Sequence, residues 1–273
     1  MKVTVLGCGT SSGVPRIGGA DGAGDWGTCD PANPKNRRRR VSLLVEHRGR
    51  TILIDTGPDL REQLLGARVS HLDAVFLTHD HADHAHGIDD LRQVFHAMGT
   101  PVACYASPTT WAVIRPRFSY VFEGTKFYPA TCTATDLAGP VKVGRMQITG
   151  FEQNHGNIDS TGYRIEAEGR ALAYSTDVKA LDQRADAGLA DLDLWVVDAL
   201  RRHPHPTHSH LAQTLEWIAN YRPRRALLTH MDQSMDYDAL AAELPPGVEP
   251  GYDGQIVMVK GRGAAGQAMR NQA

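Results

Sequence analysis

Apolar residues in this chain fall into short runs, each closed by glycine, proline or a charged residue. Val3 to Leu6 reads as a strand that enters the glycine-rich turn GCGTSSG. Residues 16–40 are loop-like and end in Arg37-Arg38-Arg39-Arg40. VSLLVEH and TILIDTG, joined across HRGR, predict a β-hairpin followed by Asp55. PDLREQLLG predicts a helix over 58–66, with Pro58 in its first turn and a stop at Gly66. LDAVFLTH predicts a buried strand ending at His79, and GIDDLRQVFHAMG a helix that stops at Gly99. PVACYAS is strand-like, while SPTTWAVIRPRFSYVF mixes helical spacing with two prolines and is expected to form a lid or wall.

The second half repeats this grammar. MQITGFEQNH predicts a strand ending in His155, and STGYRIEAEGRALAYSTD a hairpin ending in Asp177. DLWVVDAL is a strand, SHLAQTLEWIANY an amphipathic helix, and RRALLTH a strand ending in His230. DYDALAAEL then predicts a helix and GQIVMVK the last strand. Two β-rich halves, each followed by helices, predict two sheets packed face to face with helices outside. That is a four-layer αββα sandwich of the α/β (α+β) class. We expect one domain over residues 1–260 and a disordered tail over 261–273.

Composition narrows the classes. The 273 residues are 41% hydrophobic and 22% charged, which is globular. A net charge of −2 argues against a nucleic-acid partner. Cys8, Cys29, Cys104 and Cys132 form no C-x-x-C pair, so a zinc ribbon is excluded and reduced thiols are expected. The first residues contain no run fit for a signal peptide or a membrane span. A cytoplasmic location with no membrane partner is therefore expected.

The chemistry concentrates in THDHADHAHG, which sets His79, His81, Asp83, His84 and His86 just after an apolar strand. Imidazole nitrogens and carboxylate oxygens are good ligands for zinc and similar divalent ions. An extended turn lets His79 and His81 point one way while Asp83 and His84 reach a neighbouring point, so the segment can serve two metals. His86 and Asp89 are read as supporting or helix-start groups, and Arg92 as the partner of Asp89. GCGTSSG has the spacing G-x-G-x-x-x-G with no following G-K-S/T, which excludes a nucleotide loop. Arg37 to Arg40 reads as a solvated stretch, with phosphate binding as the alternative. Trp26 and Trp111 read as packing residues, with a pocket wall as the alternative.

The run His79-x-His81-x-Asp83-His84 resembles the signature of the metallo-β-lactamase superfamily. The later FEQNHG, YSTDV and LLTHM resemble that superfamily's remaining ligand segments, over about residues 3–260. The resemblance implies that His79, His81 and His155 hold one metal, that Asp83, His84 and His230 hold the other, and that Asp177 bridges them. Asp55 resembles the aspartate that orients a ligating histidine. GCGTSSGVPRIG, HADHAHGIDDLR, THSHLAQTL and the segment from LTHMDQSMDYDAL onwards resemble the phosphoribosyl cyclic phosphate phosphodiesterase family. Related arrangements occur in RNase Z and in the pyrroloquinoline-quinone biosynthesis protein.

That likeness implies a hydrolase with two divalent ions, zinc or manganese, acting on a small cyclic or ribose-type phosphodiester. A hydroxide held between the metals would be the attacking group, with Asp83 and His208 as catalytic residues. The family's structural zinc is not expected, because the first loop holds only Cys29 and position 233 is Gln. Within HPHPTHSHL, His205, His208 and His210 lie on an extended loop, and Ser209 or Thr207 is expected to cap the next helix. A homodimer is common in this branch. An RNA-processing nuclease and a non-catalytic carrier remain as alternatives.

Overall fold

A computed structural model describes residues 1–261; the expected tail beyond Gly261 lies outside the described residues. The first sheet contains β1 (Lys2–Gly7), β2 (Ser42–His47), β3 (Arg50–Ile54), β4 (Ala74–Phe76), β5 (Val102–Ala106), β6 (Cys132–Asp136) and, from the chain's end, β14 (Ile256–Met258). Its order is β14-β1-β2-β3-β4-β5-β6. The second contains β7 (Val141–Val143), β8 (Met146–His155), β9 (Ile158–Ala167), β10 (Arg170–Ser175), β11 (Leu194–Asp198), β12 (Ala226–Thr229) and β13 (Val248–Pro250), in order β13-β12-β11-β10-β9-β8-β7. In each sheet an antiparallel set leads into a parallel one, from β3 to β6 and from β10 to β13. The two mixed sheets with flanking helices are the expected sandwich.

The strands of the first sheet read as unbroken apolar runs because both faces are covered. Alternation still decides which side chain goes where. Leu43, Val45, Ile52, Ile54 and Phe76 join Ile165, Leu172 and Trp195 between the sheets. Leu44, Leu53 and Val75 turn outward onto α1 (Leu60–Ala67), α3 (Leu91–Met98) and α4 (Pro108–Arg117). The remaining helices are α2 (Ala82–Ala85), α5 (Ser119–Glu123), α6 (Gln183–Leu189), α7 (Leu211–Tyr221) and α8 (Tyr237–Glu243).

Some local expectations need correction. Helix α1 runs past Gly66 and is closed by Arg68 in a left-handed conformation with φ 57°. Neither Thr207 nor Ser209 caps α7; His210 holds the cap position with no side-chain bond. The Ser209 hydroxyl instead donates to the buried Asp198 carbonyl at 2.7 Å. Trp111 is buried and donates its Nε1–H to the Thr135 carbonyl, so it packs. Among the described residues no helix is long and apolar enough to cross a membrane.

Nor is the arginine run uniformly solvated. Arg37 lies over the Trp26 ring, while Arg38 is 2% exposed. The Arg38 guanidinium donates to the Asp232 and Met235 carbonyls and sits beside Cys29 Sγ. It therefore ties the first long loop to the segment that follows His230, beside the place where Thr28 N donates to the Gln233 carbonyl. Truncating it removes the guanidinium partner of the buried Met235 carbonyl and leaves a void. Arg38→Ala is expected to lower unfolding stability by roughly 3 kcal/mol in a urea titration. A loss under about 0.5 kcal/mol, the range of an ordinary surface substitution, would refute that role.

Candidate metal centre

The site forms where strands end. His79 lies three residues beyond β4, His155 ends β8, Asp177 lies two beyond β10, Asp198 ends β11 and His230 follows β12. Since β10, β11 and β12 are parallel, their last residues emerge side by side at one edge. Three of the acquired turns are left-handed: Asp55, Asp177 and His230 have φ 65°, 53° and 58°. Such backbone costs about 1–3 kcal/mol per residue and persists where surrounding structure over-determines it. Here it turns each side chain off its strand toward one point.

Helix α2 is held against the loop after β3 by backbone contact. Thr56 N donates to the His84 carbonyl and Gly87 N to the Thr56 carbonyl, both at 2.7 Å. A Cβ on Gly57 would lie 2.2 Å from the Asp83 carbonyl oxygen, and one on Gly87 2.0 Å from that of Gly57. Only glycine allows this approach, which brings His84 onto the buried Asp55.

Three overlapping groups of donor atoms result. His79, His81, His155 and Asp177 form one, Asp83, His84 and His230 another, and Asp177, His208 and His230 a third, each with its atoms within 4.8 Å of one another. The Asp177 carboxylate faces the first two. Its Oδ1 is 3.0 Å from His84 Nε2 and 3.4 Å from His230 Nε2. Its Oδ2 is 3.4 Å from His155 Nε2 and 3.7 Å from His79 Nε2. All seven residues that the sequence nominated therefore lie in one site. His81 is its exposed member, so the centre opens to solvent there.

The donors suit divalent cations. His79 Nε2, His84 Nε2 and His230 Nε2 are buried with no hydrogen-bond partner. They approach carboxylates closely but out of line, as atoms do that converge on a point between them. A buried unpaired donor costs about 1–3 kcal/mol, so three together call for an occupant. The outer nitrogens are fixed. His84 Nδ1 meets Asp55 Oδ2 at 2.8 Å, His79 Nδ1 meets Thr78 Oγ1 at 3.0 Å, and His155 Nδ1 donates to the Thr207 carbonyl at 2.7 Å. These contacts hold Nε2 inward.

Electrostatics agree. Burial opposes charge on His84, but Asp177, Asp83 and Asp55 outweigh it and hold its pKa well above the usual value. Burial likewise opposes charge on His230, while Asp177 and Asp83 push it up to about 9. Burial and the neighbouring His84 keep His79 well below the ordinary range. Burial would raise Asp83 and Asp177, yet the surrounding imidazoles hold both carboxyls low. The cluster thus carries ionised carboxylates that protons or metal ions must neutralise, and the two compete for the same nitrogens.

His208 stands beside this centre, with Nε2 3.8 Å from Asp177 Oδ2 and its ring stacked on His230 at 4.7 Å. Its Nδ1 is 3.1 Å from Asp198 Oδ2. Asp198 was not singled out from the sequence, although a carboxylate closing the apolar run LWVV sits in register with the other strand-end ligands. His205 lies beside His208 with ring centroids 5.0 Å apart and planes tilted, whereas His86 turns away to Arg117 at 3.1 Å. Beside Asp83 a cleft of about 410 Å³ opens, lined also by Ser11, Ser12, Arg16, Ile17 and Arg40.

Comparisons place this architecture. The profile of the beta-lactamase superfamily domain matches residues 50–231. A solved structure of a diphosphatase from the PhnP family has a TM-score of 0.85 and 31% identity, covering 95% of this chain and 98% of its own. An octanoyltransferase of Porphyromonas gingivalis is 32% identical over 96% of this chain and 52% of its own length. A ribonuclease Z of Bradyrhizobium diazoefficiens is 32% identical over 50% of this chain and 47% of its own. The chain thus spans about half the length of these curated relatives. With its strand-end histidines and aspartates in two mixed sheets, the chain belongs to the beta-lactamase superfamily and has the metallo-β-lactamase fold.

Proposed function

We propose that this chain is a dinuclear metal-dependent phosphodiesterase acting on a small phosphorylated ester. The observation that carries the reading is the division of Asp177, one oxygen toward each histidine group, with His208 alongside. His79, His81 and His155 would hold one cation, Asp83, His84 and His230 the other, and Asp177 would touch both. When bound, such a pair lowers the pKa of water and offsets charge on phosphoryl oxygens. Neither zinc nor manganese is singled out by this donor set.

The chain's own groups do the rest. Asp55 holds His84 in one orientation through its 2.8 Å contact. The Thr207 carbonyl does the same for His155, so His155 presents only Nε2. With Nδ1–H given to Asp198, His208 keeps Nε2 as the nitrogen that delivers a proton to the leaving oxygen. A positioned acid of this kind contributes about 10²–10⁴-fold. Asp83 lies at the rim of the cleft, where it would act as ligand and contact the reacting groups. The diphosphatase likeness supports phosphoester chemistry, and a 410 Å³ cleft suits a small molecule.

The test uses protein loaded with Mn²⁺ or Zn²⁺ and bis(p-nitrophenyl) phosphate. We expect metal-dependent hydrolysis that His81→Ala lowers by on the order of 10³-fold. A metal-loaded protein that leaves phosphodiesters intact while cleaving a thioester or lactone overturns the reading. The half-length match to ribonuclease Z favours a second reading, an RNA nuclease, which requires tight and salt-sensitive tRNA binding. A carrier role requires a protein that purifies without metal.

A further inference from the structure

His208 is carried on the loop between β11 and α7. Its sequence, RHPHPTHS, withholds the usual means of fixing a loop. Pro204 and Pro206 have no N–H to donate. Among the described residues, no backbone-to-backbone hydrogen bond involves positions 202–208. Side chains hold the loop instead, mostly by its carbonyls. Arg201, at its base, donates to the His203 and Pro204 carbonyls at 3.1 and 2.8 Å. Lys179 Nζ donates to the His205 carbonyl at 2.6 Å. His155 Nδ1 donates to the Thr207 carbonyl, and His208 Nδ1 meets Asp198.

Lys179 is the tie that comes from the Asp177 side, two residues beyond that carboxylate and past the end of β10. Its own backbone is pinned. Its N–H donates to the Asn154 carbonyl at 2.7 Å, and its carbonyl accepts from Gln213 Nε2 at 3.0 Å. Asn154 precedes His155 in β8, and Gln213 lies in α7. One residue thus joins the ends of β8 and β10, the helix α7 and the loop. The loop also seats directly on the end of β8: a Cβ on Gly156 would lie 2.6 Å from Thr207 Cγ2.

A surface lysine that settles on the nearest carbonyl would account for one contact. It does not account for a half-buried side chain whose backbone is bonded on both sides. Nor does it account for the place of that contact, two residues before the carbonyl that orients His155 and three before His208. The intervening backbone is short, and Pro206 within it has a fixed φ, so a shift at the His205 carbonyl carries to both.

We propose that Lys179 is a positioning residue that sets two groups through one loop: the ligand His155, by way of the Thr207 carbonyl, and the proton donor His208. The proposal rests on the phosphodiesterase reading for the part of His208, and on the metal centre for that of His155. Lys179 itself touches neither metal nor substrate.

The test is Lys179→Met, which keeps the apolar stem and loses the donor. Calorimetric titration of metal-free protein with Mn²⁺ is expected to show one of two ions bound about tenfold more weakly, because a ligating histidine has lost support. At saturating Mn²⁺, kcat on adenosine 2′,3′-cyclic phosphate is expected to fall about tenfold through misplacement of the acid. On bis(p-nitrophenyl) phosphate, whose leaving group needs no proton, the fall is expected to stay under about threefold. Lys179→Arg, which keeps a donor within reach of the carbonyl, restores most of both losses. Thermal melting checks that each variant is folded, and Lys179→Ala gives the same readings should the Met variant not fold.

A merely structural lysine lowers the melting temperature and moves neither the Mn²⁺ titration nor the ratio of the two kcat deficits. If wild type cleaves neither ester but Lys179→Met weakens one ion as expected, the hold on His155 stands and the phosphodiesterase reading falls. If Lys179→Met binds both ions as tightly as wild type, or loses equal kcat on the two esters, the proposal is overturned while the activity remains.

Discussion

Asp177→Ala should leave the protein folded but cut its metal content from about two ions per chain to one or fewer, with activity down on the order of 10³-fold. Among the described residues, Asp177 has oxygens facing both histidine groups, at 3.0 and 3.4 Å. Removing it leaves three imidazoles on one side and Asp83 with two on the other. The first group then has no anion to balance a divalent charge. The same carboxylate holds the His84 and His230 pKa values up, so its loss also changes the protons that compete with the metals. Plasma emission analysis of dialysed protein reads the metal content. A variant that keeps two tightly bound ions would remove Asp177 from the bridging role. Asp55→Asn provides the graded comparison. It disturbs the orientation of His84 and the Thr78 contacts of the same carboxylate, and a loss of about 10–100-fold in metal affinity is expected.

His208→Ala carries the second large effect. We expect kcat to fall by about 10²–10³-fold while metal content and KM stay near wild type. His208 is not one of the seven proposed ligands, yet its Nε2 lies 3.8 Å from Asp177 Oδ2 and it shares a donor group with Asp177 and His230. Asp198→Asn should reproduce part of that loss, about tenfold, through mispositioning of the ring. Its readout is the pH profile of kcat, because a merely structural aspartate would lower the rate without moving the profile. A leaving group that needs no proton, such as p-nitrophenolate, should shrink both deficits relative to an alkyl ester. An equal deficit on both esters would deny His208 the role of proton donor.

Much of the centre was legible because its residues lie at strand ends, and strand ends can be read from apolar runs. TILID, LDAVFLTH, FEQNH, LAYSTD and RRALLTH each announced a buried strand and the polar group that closes it. Local chemistry also fixed the end of α3, which stops at Gly99 as expected. The misses have physical causes. Strand β6, CTATD, and strand β13, VEP, are short edge segments with few apolar side chains. Helix α6, QRADAGL, spans under two turns, too few to display a period. Arg38 looked solvated within a run of like charges, and nothing local distinguishes it from Arg37 or Arg39. Its burial follows from carbonyls at positions 232 and 235, almost 200 residues away.

The sequence by itself determined the sandwich, the seven candidate ligands and the segments that bear them. Hydrophobic period, turn residues and His/Asp spacing are local properties, and each acts through neighbours a few positions away. The grouping of those ligands around Asp177 was implied by the family resemblance; only the tertiary structure decided that Asp198 stands behind His208. It alone brought Arg16 and Arg40 to one cleft beside Asp83. These relations are distances between strand ends on two sheets, set by strand order and sheet packing, and no pattern along the chain encodes a distance across the core.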